Sequence, residues 1–176
     1  MKLFRKIICL LVCLVLCLSL AGCVEDAPMK ETGGNESDSS VSNEPKEQVF
    51  ALNETAVFEE LKITANEIKE SNGESFFEPE TGNVFVGVNF TIENISDEEQ
   101  NVSSLLLFDA YVDDISCDYS FAATTVFKQG VDGTIAPGKK IVGWYAVEVP
   151  ENWQKLELDV QANWLSSVNA RFEFTK

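Results

Sequence analysis

The segment from Gly82 to Asn94 reads GNVFVGVNFTIEN. Apolar residues occupy every second position of its central part, and Asn89, Thr91 and Glu93 lie between them. A period of two with β-branched and aromatic side chains is typical of a half-buried β-strand. The sequence therefore predicts a strand with one apolar face, formed by Val84, Val86, Val88, Phe90 and Ile92.

The same alternation recurs in several runs between Val49 and the end of the chain, and no run has a convincing helical period. In the first of these runs Ile68 breaks the parity, which indicates a β-bulge. The residues predicted to face the core are Leu61, Ile63 and Ala65; Leu106, Phe108, Ala110 and Val112; Ile115, Cys117, Tyr119 and Phe121; Ile141, Tyr145, Val147 and Val149; Leu156, Leu158 and Val160; and Val168, Ala170, Phe172 and Phe174.

Turn signals separate these runs. Asn72-Gly73 and Asp132-Gly133 are turn dipeptides, and Asp113-Asp114 divides two alternating runs at the spacing of a hairpin. Ala136–Lys139 places Pro and Gly at the two central positions of a type II turn. About seven short strands with such turns predict an all-β domain, an immunoglobulin-like antiparallel β-sandwich.

The N-terminus has the pattern of a secretory signal: Lys2, Arg5 and Lys6 precede an uncharged run from Ile7 to Ala21. The run ends in Leu20-Ala21-Gly22-Cys23, which resembles the bacterial lipobox. That resemblance implies that Leu20, Ala21 and Gly22 are read by the signal peptidase, that the chain is cut before Cys23, and that Cys23 carries a diacylglyceryl group. An uncleaved anchor is the alternative. The uncharged run from Ile7 to Val24 has 18 residues, close to the about 20 apolar residues that cross a bilayer.

Residues 24–48 are predicted to form a disordered tether. They contain no aromatic residue and are rich in Glu, Asp, Ser, Gly and Asn, so they cannot bury enough apolar surface to fold. The expected organisation is a lipoprotein signal peptide (1–22), a lipidated Cys with an acidic tether (23–48) and one β-sandwich domain (49–176). The protein is expected at the outer face of the cytoplasmic membrane.

Composition excludes several classes of function. The chain has no His, so histidine-based triads and His zinc sites are excluded. From Val49 onward it holds eight bases and 22 acids, a net charge of −14. Nucleic-acid binding needs a basic surface, so no nucleic-acid partner is expected. No catalytic motif is found; a non-enzyme without a cofactor is expected.

Two segments resemble a known family. They are Gly82–Asn94 and the turn Gly133–Lys139, which leads to Gly143 and Val147–Pro150. The resemblance is to the bacterial domain-of-unknown-function family numbered four-three-five-two, common in Gram-positive exported lipoproteins and similar in fold to the mycobacterial secreted immunoprotective antigen. It covers residues 49–176 and implies the immunoglobulin-like fold, without any catalytic residue. Members usually carry Gly in the hairpin where this chain has Asp113-Asp114.

Phe76 and Phe77 are the candidate partner-contact residues. They lie in a stretch of turn formers and acids between Asn72 and Asn83, where no strand alternation is found. Adjacent residues of an extended segment point in opposite directions, so one ring can cover the sandwich while the other contacts a partner. The alternative is that the loop is only a lid on the sandwich edge.

Acidic residues cluster around the predicted hairpin at Asp113 and Asp114, with Asp109 and Asp118 nearby. Their carboxylates are weak candidates for a Ca²⁺ site, and a solvated hairpin end is the alternative. Cys117 alternates with apolar neighbours and is predicted to be a small, reduced core residue rather than a nucleophile.

These features favour a non-catalytic, monomeric, membrane-anchored lipoprotein whose partners are membrane lipid, through Cys23, and an unidentified envelope or extracellular protein. The second hypothesis is a surface protein that binds a divalent cation or another small ligand. An enzyme is the third.

Overall fold

The computed structural model describes residues 29–30, 48–161 and 169–176. In chain order the elements are β1 (Met29–Lys30), β2 (Val49–Phe50), β3 (Thr55–Val57), β4 (Leu61–Ser71), β5 (Asn83–Asn94), β6 (Gln100–Val102), α1 (Ser104–Leu107), β7 (Phe108–Val112), β8 (Ile115–Cys117), α2 (Phe121–Phe127), β9 (Gly133–Ile135), β10 (Lys140–Pro150), β11 (Lys155–Gln161) and β12 (Asn169–Thr175).

The strands form two five-stranded sheets. Sheet one has the order β1-β3-β4-β5-β10 and sheet two has the order β2-β12-β11-β7-β8, while β6 and β9 form a small separate ladder. All of these pairs are antiparallel except β2 with β12, which is parallel. The predicted all-β sandwich is confirmed, with one parallel pair at an edge.

Aromatic rings from both sheets meet in the core. Phe90 of β5 lies 5.3 Å from Phe108 of β7 and 5.4 Å from Phe172 of β12, measured between ring centroids. Phe108 also stacks on Tyr145 of β10 at 4.8 Å. The predicted apolar face of β5 is buried throughout, so the alternation in Gly82–Asn94 identified the core correctly.

The predicted irregularity in β4 is confirmed. The register of β4 against β5 shifts between Ala65 and Glu67, and Ile68 then pairs with Val88. A bulge inserts one extra residue into the strand, so an apolar side chain that is out of step with the alternation returns to the core face. Ile68 accordingly packs, partly buried, against the core.

Asn94, which ends β5, is fully buried and fixes the loop that follows. Its Nδ2 donates to the carbonyls of Glu98 (2.7 Å) and Ile135 (2.8 Å), and its Oδ1 accepts the N–H of Ser96 (2.9 Å). A buried amide needs such partners. The side chain of the last residue of β5 therefore connects this strand to β9.

Two turn predictions are confirmed. Lys139 N–H donates to the Ala136 carbonyl (3.0 Å), and Gly138 has the positive φ of +68° that a type II turn requires. Asp113 and Asp114 have φ of 49° and 68°, the two positive values of a type I′ hairpin turn. Asp tolerates this conformation, so the turn forms without Gly.

The predicted strand from Ile115 to Phe121 is wrong beyond Cys117. After β8 the chain makes only an isolated bridge, from Tyr119 to Val147, and then turns into α2. The side chains of Ile115 and Phe121 are 72% and 73% exposed, although the alternation placed both in the core.

Helix formation explains this difference. Ser120 is the N-cap of α2, and its Oγ accepts the N–H of Ala123 at 3.1 Å. A serine cap followed by alanines favours a helix over a strand, and the short apolar alternation did not reveal it. Leu106 is a second error of the same kind, because it lies in α1 with 60% of its surface exposed.

Helix α2 packs on the outer face of sheet one. Ala123 forms a small buried cluster with Phe85 and Ala146. Phe127 stacks on Trp144 at 4.9 Å, and its ring lies over Gly87, where a Cβ would come within 2.7 Å of it. The glycine in β5 therefore makes room for the helix.

Segment 119–131 covers the free edge of β10. Trp144 N–H donates to the Gln129 carbonyl at 2.6 Å, and a Cβ at Gly143 would overlap the Gly130 carbonyl. An uncovered edge would expose unpaired backbone groups to other chains. Gly143 thus permits the close approach that protects this edge.

Within the predicted tether, the structure describes Met29, Lys30 and Gln48. Met29 and Lys30 pair with Val57 and Ala56 of β3, so these two residues belong to sheet one, and the bounds 1–22, 23–48 and 49–176 stay a prediction. The signal peptide, the lipobox and Val168 lie outside the described residues. In the described ranges, none of the helices has the length and hydropathy to span a membrane.

Candidate functional site

The tip of the loop between β4 and β5 is a tight turn that we call the Phe76 hairpin, Glu74–Phe77. Glu74 N–H donates to the Phe77 carbonyl (2.9 Å), and Phe77 N–H donates back to the Glu74 carbonyl (3.1 Å). Ser75 has a φ of 59°. Phe76 is 98% exposed at the tip, whereas Phe77 is 38% exposed at the base of the turn.

The backbone around the hairpin is held on both sides. Gly73 has a φ of +92°, and a Cβ there would overlap the Phe77 carbonyl. On the other side, the Oε1 of Glu148 accepts the N–H of Glu80 (2.7 Å) and the Nδ2 of Asn83 (3.0 Å). The loop is therefore tied to β10, and Phe76 projects from a fixed support.

Acidic residues flank Phe76 along the loop. Glu74, Glu78 and Glu80 are all exposed, and the sequence has no Lys or Arg between Ser71 and Asn83. Phe76 covers no part of the sandwich, so this ring is not a lid. The Phe76 hairpin is thus an apolar tip in an acidic surround, and its role in partner contact remains a prediction.

The second candidate, the Asp113-Asp114 turn, is occupied by contacts within the domain. Asp113 Oδ1 accepts the N–H groups of Gln154 (3.0 Å) and Lys155 (2.9 Å). Asp114 Oδ1 lies 2.7 Å from Lys155 Nζ, and this hydrogen bond and a second one to Glu157 raise the pKa of Lys155. These bonds tie the turn to β11.

The other two acids of the predicted cluster do not join this turn in a metal site. Asp109 accepts a hydrogen bond from Gln161 at 3.3 Å, and Asp118 is exposed beyond β8. Over the residues that the structure describes, the Asp, Glu and Cys side chains form no group of three or more that could hold a metal ion. Calcium binding therefore stays a hypothesis without an assembled site.

Cys117 is half-buried against the core, rather than fully buried as its alternation predicted. Desolvation, with a smaller contribution from the Asp118 charge, raises the pKa of its thiol to about 11. A thiol with that pKa is almost entirely protonated at neutral pH and is a poor nucleophile. Its environment fits a structural residue.

A further feature, which the sequence did not predict, is an open pocket of about 300 Å³ beside α2. The pocket is lined by Tyr119, Phe121, Thr124, Thr125, Lys128, Gly130 and Asp132. The buried hydroxyl of Thr124 has no hydrogen-bond partner among the described residues, and the carboxylate of Asp132 accepts from Ser104 N–H (2.8 Å) and Oγ (2.9 Å). We call this the α2 pocket.

The signal that could have revealed the α2 pocket is the helix signature in its wall. Ser120 as a capping residue and Gly130 shortly after the last turn are typical of a short helix. Phe121, an exposed apolar residue of the pocket wall, would then have been placed on a surface.

Solved structures with a similar fold come from several bacteria. A candidate lipoprotein of Bacillus subtilis (YcdA) has a TM-score of 0.56 at 15% identity, over 66% of this chain and 36% of that one. An uncharacterised β-sandwich protein of Clostridium difficile has a TM-score of 0.52 at 20% identity, over 78% and 100%. A candidate lipoprotein of Staphylococcus aureus has a TM-score of 0.52 at 15% identity, over 69% and 87%.

These likenesses show a shared fold, and the chain spans only about a third of the Bacillus subtilis protein. No protein of curated function matches it. The family model of a domain of unknown function, DUF4352, matches residues 50–171. That match includes Gly82–Asn94 and the Gly133–Lys139 turn, the segments whose resemblance the sequence indicated. The chain therefore belongs to the DUF4352 family.

Proposed function

We propose that this protein is a lipid-anchored, non-catalytic binding module at the outer face of the cytoplasmic membrane, and that it contacts an envelope protein through the Phe76 hairpin. Two observations support the anchor. Leu20–Cys23 resembles a lipobox behind a signal sequence, and proteins described as candidate lipoproteins share the fold.

The single observation that carries the binding role is the exposure of Phe76. An aromatic ring that is 98% exposed gains nothing from folding, yet two backbone hydrogen bonds and the Glu148 anchor hold it in place. Rigid aromatic side chains bind with little loss of conformational entropy, which is why they dominate many interfaces. Phe76 has the properties of such an anchor.

Charge indicates the chemistry of the partner. Glu74, Glu78 and Glu80 are exposed in the same loop as the ring, and the domain carries a net charge of −14 from Val49 onward. Complementary charge speeds encounter and excludes wrong partners. The proposed partner has a small apolar pocket for the ring and basic groups at its rim.

Lipid attachment is tested with the substitution Cys23→Ala. The natural chain is expected to incorporate labelled fatty acid and to lose residues 1–22, and the variant is expected to do neither, because the thioether to diacylglycerol needs the cysteine sulfur. Two acyl chains give stable anchoring where one does not. Normal labelling and processing of the variant refutes the anchor at Cys23.

The hairpin is tested with Phe76→Ala, with Phe121→Ala as the matched control. Both rings are largely exposed, so neither substitution should change the midpoint of urea unfolding. Burying a phenylalanine side chain contributes about 1.5–3 kcal/mol, so the Phe76 variant should bind its partner about 10- to 100-fold more weakly.

Neighbours on intact cells are compared by chemical cross-linking followed by mass spectrometry. The proposal predicts one neighbour that is lost with Phe76→Ala and kept with Phe121→Ala. The same neighbours in both variants would show that the hairpin contacts no partner.

A second candidate function, small-ligand binding, is favoured by the α2 pocket. Thr124 has a buried hydroxyl without a partner, and Lys128 makes no ion pair with any residue that the structure describes. A small anion with a ring or methyl group to place against Phe121 fits these groups.

Calorimetric titration with acetate, phosphate and glucuronate tests this candidate, and Ca²⁺ is titrated in parallel for the acidic hairpin. Binding through the pocket is expected to disappear in Lys128→Met and to persist in Lys139→Met, a lysine on a distant turn. Absence of heat with every probe argues against this candidate.

A further inference from the structure

Strand β1 attaches a part of the tether to the domain. Met29 pairs with Val57 and Lys30 with Ala56, so β1 extends sheet one beyond β3. Without these two residue pairs β3 would be the edge of the sheet. The contact therefore joins the chain next to the lipobox to a fixed point on the sandwich.

The register shows at which end of the sheet this chain arrives. Val57, the partner of Met29, pairs with Lys62, and the neighbouring Leu61 pairs with Asn94. We call this the base end of sheet one. Since β1 is antiparallel to β3, the chain that precedes Met29 leaves the sheet at the base end.

The Phe76 hairpin lies at the opposite end. It follows Ser71, the last residue of β4, and precedes Asn83, the first residue of β5, which pairs with Pro150. We call this the tip end. The twelve residues of β5 separate the two ends by about 35–40 Å, at about 3.3 Å per residue.

We propose that β1 is a clip that holds the base end of the domain against the membrane and points the Phe76 hairpin outward. This inference rests on the proposed lipid anchor at Cys23. An extended chain from Cys23 to Met29 spans at most about 20 Å, whereas from Cys23 to Val49 it could reach about 90 Å.

The charge of the domain gives it no attraction of its own to lipid. The net charge is −14, and Glu59, Asp97, Glu98 and Glu99 are exposed at the base end, so the covalent anchor and β1 have to supply the attachment. Clipped at the base end, the domain presents the hairpin at the far side, where an envelope partner meets it. Release of the clip would lengthen the reach of the same domain.

Backbone alternation identifies the residue that makes the clip. Phe58 N–H donates to the Leu61 carbonyl (2.8 Å), toward β4, so the N–H of the preceding residue, Val57, points the other way, toward β1. Met29 and Val57 are therefore the pair that exchanges hydrogen bonds, and the N–H of Lys30 points away from β3.

The first test measures hydrogen exchange at Val57 in the lipidated protein in detergent micelles. Met29→Pro removes the N–H that faces β3, and Lys30→Pro, the matched control, removes one that does not. The Val57 amide is expected to exchange at least tenfold faster in the Met29 variant than in the natural chain or the control. An unchanged rate in Met29→Pro overturns the clip.

The second test measures height above a liposome by energy transfer to labelled headgroups. Single dyes are attached through Asp97→Cys at the base end or Glu151→Cys at the tip end, in a Cys117→Ser background. Energy transfer is expected to be strong from the dye at the base end and weak from the dye at the tip end. Met29→Pro should weaken the transfer from the dye at the base end. Equal transfer from both ends overturns the orientation.

These outcomes separate the clip from the function on which it rests. A failed lipid anchor appears as protein that does not float with the liposomes, while the exchange rate at Val57 still reports on the clip. A failed partner role for Phe76 leaves both measurements unchanged.

Discussion

Replacing Gly87 with alanine should destabilise the domain, and the sign of the effect should reverse when Phe127 is removed. The new Cβ would lie 2.7 Å from Cδ2 and Cε2 of the Phe127 ring, too close for any real contact. The ring, which stacks on Trp144, must move, and α2 must move with it. Gly87 has no positive φ, so alanine fits its backbone.

The change in the free energy of unfolding follows from the clash with Phe127 and from the backbone of Gly87, which alanine can adopt. Overpacking a well-packed site costs about 1–3 kcal/mol, so Gly87→Ala should lower the free energy of unfolding by that amount. In the Phe127→Ala background the clash is absent, and alanine restricts the unfolded chain, which stabilises by about 0.4–1 kcal/mol. The expected coupling between the two sites is thus about 1.4–4 kcal/mol.

Urea unfolding of the four chains in this double-mutant cycle, followed by tryptophan fluorescence, measures the coupling. Phe127→Ala alone is also expected to change the native fluorescence, because Trp144 loses its stacking partner. Equal destabilisation by Gly87→Ala in both backgrounds would refute the claim that the glycine exists to seat the helix.

Three further predictions concern other parts of the domain. Iodoacetamide should modify Cys117 slowly at pH 8 in the native protein and faster as the pH approaches about 11, because the raised pKa keeps the thiol protonated; a native rate equal to the rate in urea disproves this. Thr124→Val should raise the free energy of unfolding by about 1 kcal/mol, since it removes a buried hydroxyl without a partner; a loss of stability in urea titration would reveal a partner for that hydroxyl. Duplex DNA should not bind at physiological salt, because the domain carries a net charge of −14; saturable micromolar binding in a fluorescence titration is the opposing result.

The core could be predicted from the sequence because its strands have one apolar face over many residues. The face of β5 and the bulge before Ile68 followed from parity alone. Asp113-Asp114 and Ala136–Lys139 were predictable because few residue types accept the backbone angles of such turns.

Segment 115–131 could not be placed in the same way. Four alternating apolar residues fit a strand, but the cap at Ser120 starts a helix whose position depends on contacts with distant residues. Gly87 and Gly143 make room for this segment, and only the packing of α2 and Gly130 shows why they lack side chains. The α2 pocket is a consequence of that packing, and so it was missed.

The exposure of Phe76 was only partly predictable. The turn formers and acids around Phe76 and Phe77 indicated that these residues lie in a loop rather than in a strand. The turn between Glu74 and Phe77 decides which of the two rings is exposed. The strand at Met29 and Lys30 was not predictable, because two residues carry no periodicity and the pairing depends on the edge of β3.

Contact between the Phe76 hairpin and an envelope partner can be captured in living cells. A photoreactive phenylalanine analogue is placed at position 76, and at position 121 as the control. A light-dependent adduct with one protein is expected at position 76 and no such adduct at position 121. The same adducts at both positions, or none at position 76, would contradict this contact.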